Sequence, residues 1–132
     1  MHIEVRHLTK TFGPLRANDQ ISLSFAAGQV HGVLGENGAG KSTLMKLLSG
    51  FLHRDAGEIL LNGHAVTIAG PADALQAGVG MVHQDPLDVP AFTALENFFC
   101  AGSRTKLPSL KDARAILTRL SRRLGFTVPP DQ

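Results

Sequence analysis

At 132 residues, with 43% apolar residues and a mean hydropathy of +0.05, the chain suits one globular domain, and no apolar run is long enough to span a bilayer. A single cysteine, Cys100, excludes an internal disulfide, and six scattered histidines without a Cys-x-x-Cys pair argue against a zinc site. The formal charge of +2 conceals an asymmetry: residues 1–103 hold 6 Lys/Arg against 9 Asp/Glu, whereas residues 104–132 hold 7 against 2.

Ile3 to Leu8 alternates apolar and polar residues, which predicts a half-buried strand. Its start, Met1-His2-Ile3-Glu4, lacks the charged-then-apolar layout of a signal peptide. Thr9 to Ala17 contains Gly13-Pro14 and reads as a loop. Ile21 to Phe25 alternates again, and Ala26-Ala27-Gly28 turns the chain toward Val30-His31-Gly32-Val33-Leu34, an apolar run expected to be a buried strand. Then comes Gly35-Glu36-Asn37-Gly38-Ala39-Gly40-Lys41-Ser42-Thr43, which fits the phosphate-loop pattern G-x-x-x-x-G-K-[ST]. Leu44, Leu47, Leu48 and Phe51 follow at helical spacing, with Gly50 at the expected stop.

The residue types of this loop suit a polyphosphate. Glycines at 35, 38 and 40 let the backbone curl, so that N–H groups from Gly35, Asn37, Gly38, Ala39 and Gly40 can face an anion. The open N-terminus of the next helix adds unpaired N–H groups and a partial positive charge. Lys41 is expected to reach the β- and γ-phosphates, the Ser42 hydroxyl to ligate Mg²⁺, and Thr43 to bond the α-phosphate. The bland reading, a glycine-rich turn capping an ordinary helix, is set aside because the pattern and its expected strand–loop–helix context agree.

Downstream, Arg54 to Gly57 reads as a turn, and residues 58–61 and 65–68 as short strands joined by Asn62-Gly63, a strong hairpin signal. Pro71 opens a short helix over 71–77 that Gly78 ends. Val79 to His83 is a second expected apolar strand, and residues 86–92, with two prolines, an expected loop. Thr93 and Glu96 form a capping box for a helix to about Cys100, broken at Gly102-Ser103. A last helix runs from Ser109 with apolar residues at 110, 113, 116, 117, 120 and 124, ended by Gly125. Its arginines lie mostly off that stripe, so the basic tail reads as a solvated helix face rather than a nucleic-acid or anionic-membrane surface.

These pieces in this order resemble the ATP-binding subunit of ABC transporters. Thr9-Lys10-Thr11-Phe12-Gly13 is similar to the segment whose aromatic, here Phe12, stacks on adenine, and Gly35 to Thr43 closely matches the family's phosphate loop. Gly57 to Gly63 resembles the family's hairpin after the loop helix. Val82-His83-Gln84 is similar to its Q-loop, which implies that Gln84 touches Mg²⁺ and the attacking water while its loop meets the membrane subunit. Phe92 to Asn97 fits the segment after the Q-loop, and Gly80 to Gln84 is nearest to subunits of simple-sugar and nucleoside importers.

The likeness implies an α/β fold with a P-loop NTPase-type core, an N-terminal antiparallel β subdomain and Q-loop over 1–87, and the beginning of a helical subdomain over 88–132. It implies ATP and Mg²⁺ as cofactors. The implied partners are a transmembrane permease subunit and a second ATP-binding subunit, with no nucleic acid and no membrane span of its own. The implied place is cytoplasmic, peripheral on the inner face of the cell membrane. Leu124 to Pro129 resembles the stretch just ahead of the family's signature sequence, and that signature, the Asp-Glu strand end and the switch histidine do not occur in this sequence. The chain thus reads as the N-terminal portion of such a domain, incomplete at its C-terminal side, binding ATP without efficient hydrolysis by itself. Two other readings stay open at this point. One is a small P-loop kinase or GTPase with Asp85 at a metal-binding strand end, and the other is a non-catalytic nucleotide-binding interaction protein.

Overall fold

In the computed structural model, which describes residues 1–85, 88–101 and 109–131, β1 (Ile3–Phe12) and β2 (Leu15–Phe25) form a long antiparallel hairpin. The expected loop over 9–17 is instead the tip of that hairpin, with only Gly13-Pro14 in the turn. Thr9, Thr11 and Phe12 favour a pleated strand, and the ladder to β2 outweighs the turn signal everywhere but at those two residues.

Three register shifts shape the hairpin, two of them at residues with positive φ and the third, between Lys10 and Thr11, adding one residue to β2 near Ala17. Val5 and Leu8 are both buried although three residues apart, a spacing that puts side chains on opposite faces of a regular strand. The conflict is resolved at His7 (φ 48), where β1 carries one extra residue against both β2 and β3. The displaced His7 N–H donates to Ser22 Oγ at 3.0 Å, which replaces the ladder bond it gives up. A second bulge, at Gln20 (φ 48), adds a residue to β2 between Ile21 and Asn18, and its N–H donates to Thr9 Oγ1 at 3.1 Å. This one turns Asn18 inward beside Ile21.

β3 (Ala56–Leu61) pairs with the far side of β1, and β4 (His64–Val66) pairs with β3, giving the antiparallel order β2-β1-β3-β4. Asn62 (φ 51) and Gly63 (φ 81) supply the two positive φ angles that the tight β3–β4 turn needs. α1 (Lys41–Leu48) contributes Leu44, Leu47 and Leu48 to a core with Val5, Leu8, Ile59 and Leu61. Phe51, expected on the same face, lies beyond the helix end at Ser49 and is exposed. α2 (Pro71–Gln76) starts on Pro71 and buries Ala74 against the same core.

Neither Val30–Leu34 nor Val79–His83 is a strand, contrary to expectation. A strand is held by a ladder, and among the described residues none runs beside either segment. Val30, Leu34 and Val82 are 103%, 93% and 97% exposed.

The chain divides into two compact units, Met1–Val82 and His83–Gln132. In the second, α3 (Ala94–Cys100) and α4 (Leu110–Leu124) pack together and bury Leu95 and Ala113. Both start on full capping boxes, Thr93 with Glu96 and Ser109 with Asp112. The Leu95 N–H donates to the Pro130 carbonyl at 3.0 Å, and Arg114 pairs bidentately with Asp131, tying the last described residues back onto the helices. The expected break at Gly102-Ser103, and Pro86 and Leu87 of the expected loop, lie outside the described residues. No helix among the described residues is long and apolar enough to cross a membrane.

Leu8 is fully buried beneath α1. Leu8→Ala is expected to lower unfolding free energy by about 2–5 kcal/mol in urea titrations, whereas a loss below about 1 kcal/mol would contradict this packing.

Candidate functional site

α1 begins immediately after Gly40 (φ 83), with no side-chain cap and no acidic residue in its first turn. Its leading N–H groups are therefore free of intrahelical partners and sit in the positive field of the helix end. The Ala39 N–H donates to the Glu36 carbonyl at 3.2 Å, curling the loop ahead of the helix. Lys41 Nζ lies inside that curl and donates to the carbonyls of Gly35 and Glu36, each at 2.7 Å. Two of its three donors are engaged, which leaves one for a further acceptor.

A cleft of about 330 Å³ opens between this loop and the hairpin tip. Phe12, Leu15 and Ala17 line one wall, and Asn37 to Thr43 line the other. The hairpin wall is apolar and aromatic, while the loop wall is rich in N–H groups and hydroxyls. Lys41 carries the cleft's only formal charge among the described lining residues. Such a space suits a ligand with a flat apolar end and an anionic end.

The hairpin wall is braced from behind. Asp55 accepts from Lys10 Nζ at 2.8 Å and from the Thr11 N–H at 2.7 Å, and its own N–H donates to the Thr9 carbonyl at 2.9 Å. The Lys10 hydrogen bond first, and the Thr11 N–H second, hold the Asp55 carboxyl below its ordinary range. Lys10 Nζ also lies 5.5 Å from the Phe12 ring centroid. The end of β1 that carries Phe12 is thereby fixed on its outer side.

The two walls meet at Gly40. A Cβ there would stand 2.2 Å from the Ala17 carbonyl oxygen and 2.9 Å from Asn18 Nδ2, so the loop rests directly on the β2 backbone. Asn18 is 4% exposed, and its Nδ2 donates to the Gly40 carbonyl at 3.3 Å. That carbonyl also accepts the Leu44 N–H at 2.9 Å, the first bond of α1. Asn18 Oδ1 is buried without a partner among the described residues.

Eight of the residues singled out from the sequence thus line one cleft: Phe12, Asn37, Gly38, Ala39, Gly40, Lys41, Ser42 and Thr43. Gly35 stands behind them and offers its carbonyl to Lys41. Gln84 belongs to the second unit, where it is exposed in a bend. Sequence reasoning missed Leu15, Ala17 and Asn18, because it assigned 9–17 to a loop and had no sign of the Gln20 bulge that turns Asn18 inward.

Residues 18–128 match the ABC transporter family. The chain is 44% identical over 131 residues to the nucleoside import ATP-binding protein NupA of Lactococcus lactis subsp. cremoris, covering 98% of this chain and 26% of that protein. It is 40% identical over 114 residues to the ribose import ATP-binding protein RbsA of Ruegeria sp., covering 86% and 22%. The chain thus spans about a quarter of the length of these curated relatives. Among solved structures it is similar to MJ1267, an ATP-binding cassette of an ABC transporter, with a TM-score of 0.82 and 25% identity over 98% of this chain and 56% of that one. A nucleotide-free ATP-binding cassette from an ABC transporter aligns with a TM-score of 0.71 and 30% identity, covering 88% and 46%.

The Gly40 contact and the Asp55 brace can each be tested. Gly38 has a similar φ of 88 but open space around it, so Gly38→Ala should cost about 1–2 kcal/mol of left-handed strain. Gly40→Ala adds a collision with the β2 backbone and should lower the urea midpoint clearly further, and equal losses would mean that the loop does not rest on β2. Because the Asp55 carboxyl is held low, its stabilising contribution is complete above the usual aspartate value of about 4 and is lost as pH falls through the folded-state value. Denaturation midpoints of wild type and Asp55→Asn should therefore differ by a constant gap above about pH 5 and converge below about pH 4.

Proposed function

The chain belongs to the ABC transporter family, and from that membership we propose that its cleft binds ATP with Mg²⁺ as part of a subunit that energises uptake of a small solute. The observation that carries this reading is the two-walled cleft itself, in which an exposed aromatic and a curled, N–H-rich loop with one lysine face the same space. Phe12, 43% exposed, takes the adenine ring on its face. Gly35, Asn37, Gly38, Ala39 and Gly40 supply the loop backbone for the phosphates, and Thr43 adds a hydroxyl from the first turn of α1. Lys41 turns its remaining donor, and by exchange its other two, toward β- and γ-phosphate oxygens.

The donor set fits Mg²⁺ held chiefly by phosphates. Ser42 offers a hard hydroxyl oxygen on the cleft surface, suited to an ion that keeps several waters and takes few protein ligands. When bound, the ion supplies charge neutralisation at the phosphates. The role of Gln84 toward Mg²⁺ and an attacking water comes from the sequence resemblance. Its amide has the chemistry for that role, since it can donate and accept together.

No carboxylate lines the cleft among the described residues, so none is placed there to take a proton from an attacking water. This supports the reading that the chain alone binds ATP without efficient hydrolysis. The transported solute belongs to the sugar or nucleoside class, a reading supported by the similarity to ATP-binding proteins of nucleoside and ribose import. The partners are a membrane permease and a second ATP-binding subunit, with the assembly on the inner face of the cell membrane.

The test is Mg-ATP binding by calorimetry together with phosphate release, using Lys41→Ala as the control. Wild type should bind, and Lys41→Ala should weaken binding by about ten- to a hundredfold, the worth of a hydrogen bond to a charged group. Phosphate release should stay at background in both. Binding indifferent to Lys41 would overturn the site, and Lys41-dependent turnover would overturn the binding-only reading.

A further inference from the structure

We propose that Asn18 is a positioning residue of the nucleotide site, its buried amide fixing the spacing between the base platform and the phosphate loop. The inference rests on the reading that this cleft holds ATP. Phe12 and the loop belong to different elements, and a ligand that touches both needs the gap between them held constant. Within the cleft, the walls meet where Gly40 rests on Ala17 and Asn18. Asn18 donates to the Gly40 carbonyl at 3.3 Å, and that carbonyl opens the α1 ladder by accepting from Leu44 at 2.9 Å. The amide therefore grips the loop at the residue where loop becomes helix, one position before Lys41.

Three features set Asn18 apart from a packing residue. A leucine, branched at the same carbon though larger, would leave no polar atom unpaired at a site that is 4% exposed, whereas Asn18 buries an Oδ1 with no partner among the described residues. A whole bulge at Gln20, with its N–H held by Thr9 Oγ1, is devoted to turning this side chain inward. The same β2 segment supplies Leu15 and Ala17 to the cleft, so a shift of the Asn18 contact moves the hairpin wall against the loop wall. Local cost borne beside a binding site is the mark of a functional contact.

The experiment compares ATP with inorganic tripolyphosphate, which engages the loop but has no base for Phe12. Affinities for both are measured by calorimetry on the full chain, wild type and Asn18→Leu, alongside thermal unfolding. Asn18→Leu removes the donor and the orphan acceptor together, and the Gly40 carbonyl keeps its Leu44 bond. The preference for ATP over tripolyphosphate should fall about tenfold, the worth of one buried hydrogen bond, while the melting temperature holds or rises. Adding Phe12→Ala to Asn18→Leu should reduce that preference little further, because the base would already be out of register. If Asn18→Leu fails to fold, Asn18→Ser takes its place, since the short hydroxyl falls short of the Gly40 carbonyl and the same loss of preference is expected.

An unchanged preference in a folded variant overturns the proposal. So does an equal loss for both ligands with a lowered melting temperature, which marks Asn18 as merely structural. If wild type shows no Lys41-dependent ATP binding, the nucleotide reading falls and takes this inference with it. Lys41-dependent binding with Asn18 variants at wild-type preference removes the inference alone.

Discussion

Contact between backbone and backbone at Gly40 governs this molecule. Because residue 40 has no Cβ, the phosphate loop can lie against the Ala17 carbonyl, and the helix that follows starts at a fixed height above β2. From that height Leu44, Leu47 and Leu48 descend into the same core that Val5 and Leu8 enter from β1. The core therefore does two things at once. It stabilises the sheet, and it holds the helix end whose unpaired N–H groups face the cleft. A loop of this composition on an unsupported turn would wander, whereas here its flank is fastened on the sheet side.

The hairpin contributes through its irregularities. Straight β1 and β2 strands would send either Val5 or Leu8 to solvent, and would do the same to either Ile21 or Asn18. Two bulges, one on each strand, correct both mismatches, and a further shift between Lys10 and Thr11 sets the pairing of Phe12 with Leu15 at the tip. Side chains satisfy the displaced N–H groups on the spot: Ser22 for His7, and Thr9 for Gln20. The tip is then tied by Asp55 to the turn that leads into β3.

Signals confined to a few neighbouring residues were readable in the sequence. The phosphate loop, the Asn62-Gly63 turn, Pro71 at a helix start and the capping box of Thr93 with Glu96 each carry their own geometry, and each stands where the residues indicated. Partnership between distant segments was not readable. Val30–Leu34 and Val79–His83 have the composition of strands but no ladder, and composition alone does not supply hydrogen-bond partners. The inward turn of Asn18 depends on a bulge set by a register that no local pattern displays. Leu15 and Ala17 were hidden for the opposite reason, since a strong turn dipeptide masked the strand around it.

The clasp of Lys41 on the carbonyls of Gly35 and Glu36 has a consequence for the energetics of any anion that enters. The ammonium is already dehydrated on two sides and already inside the curl, so capture of a phosphate is an exchange of acceptors rather than a rescue from bulk water. Exchange of this kind needs little rearrangement, because Lys41 already stands inside the curl that would hold the anion. The carbonyls of Gly35 and Glu36 that yield Lys41 to an entering anion stay in place to take it back when the anion leaves.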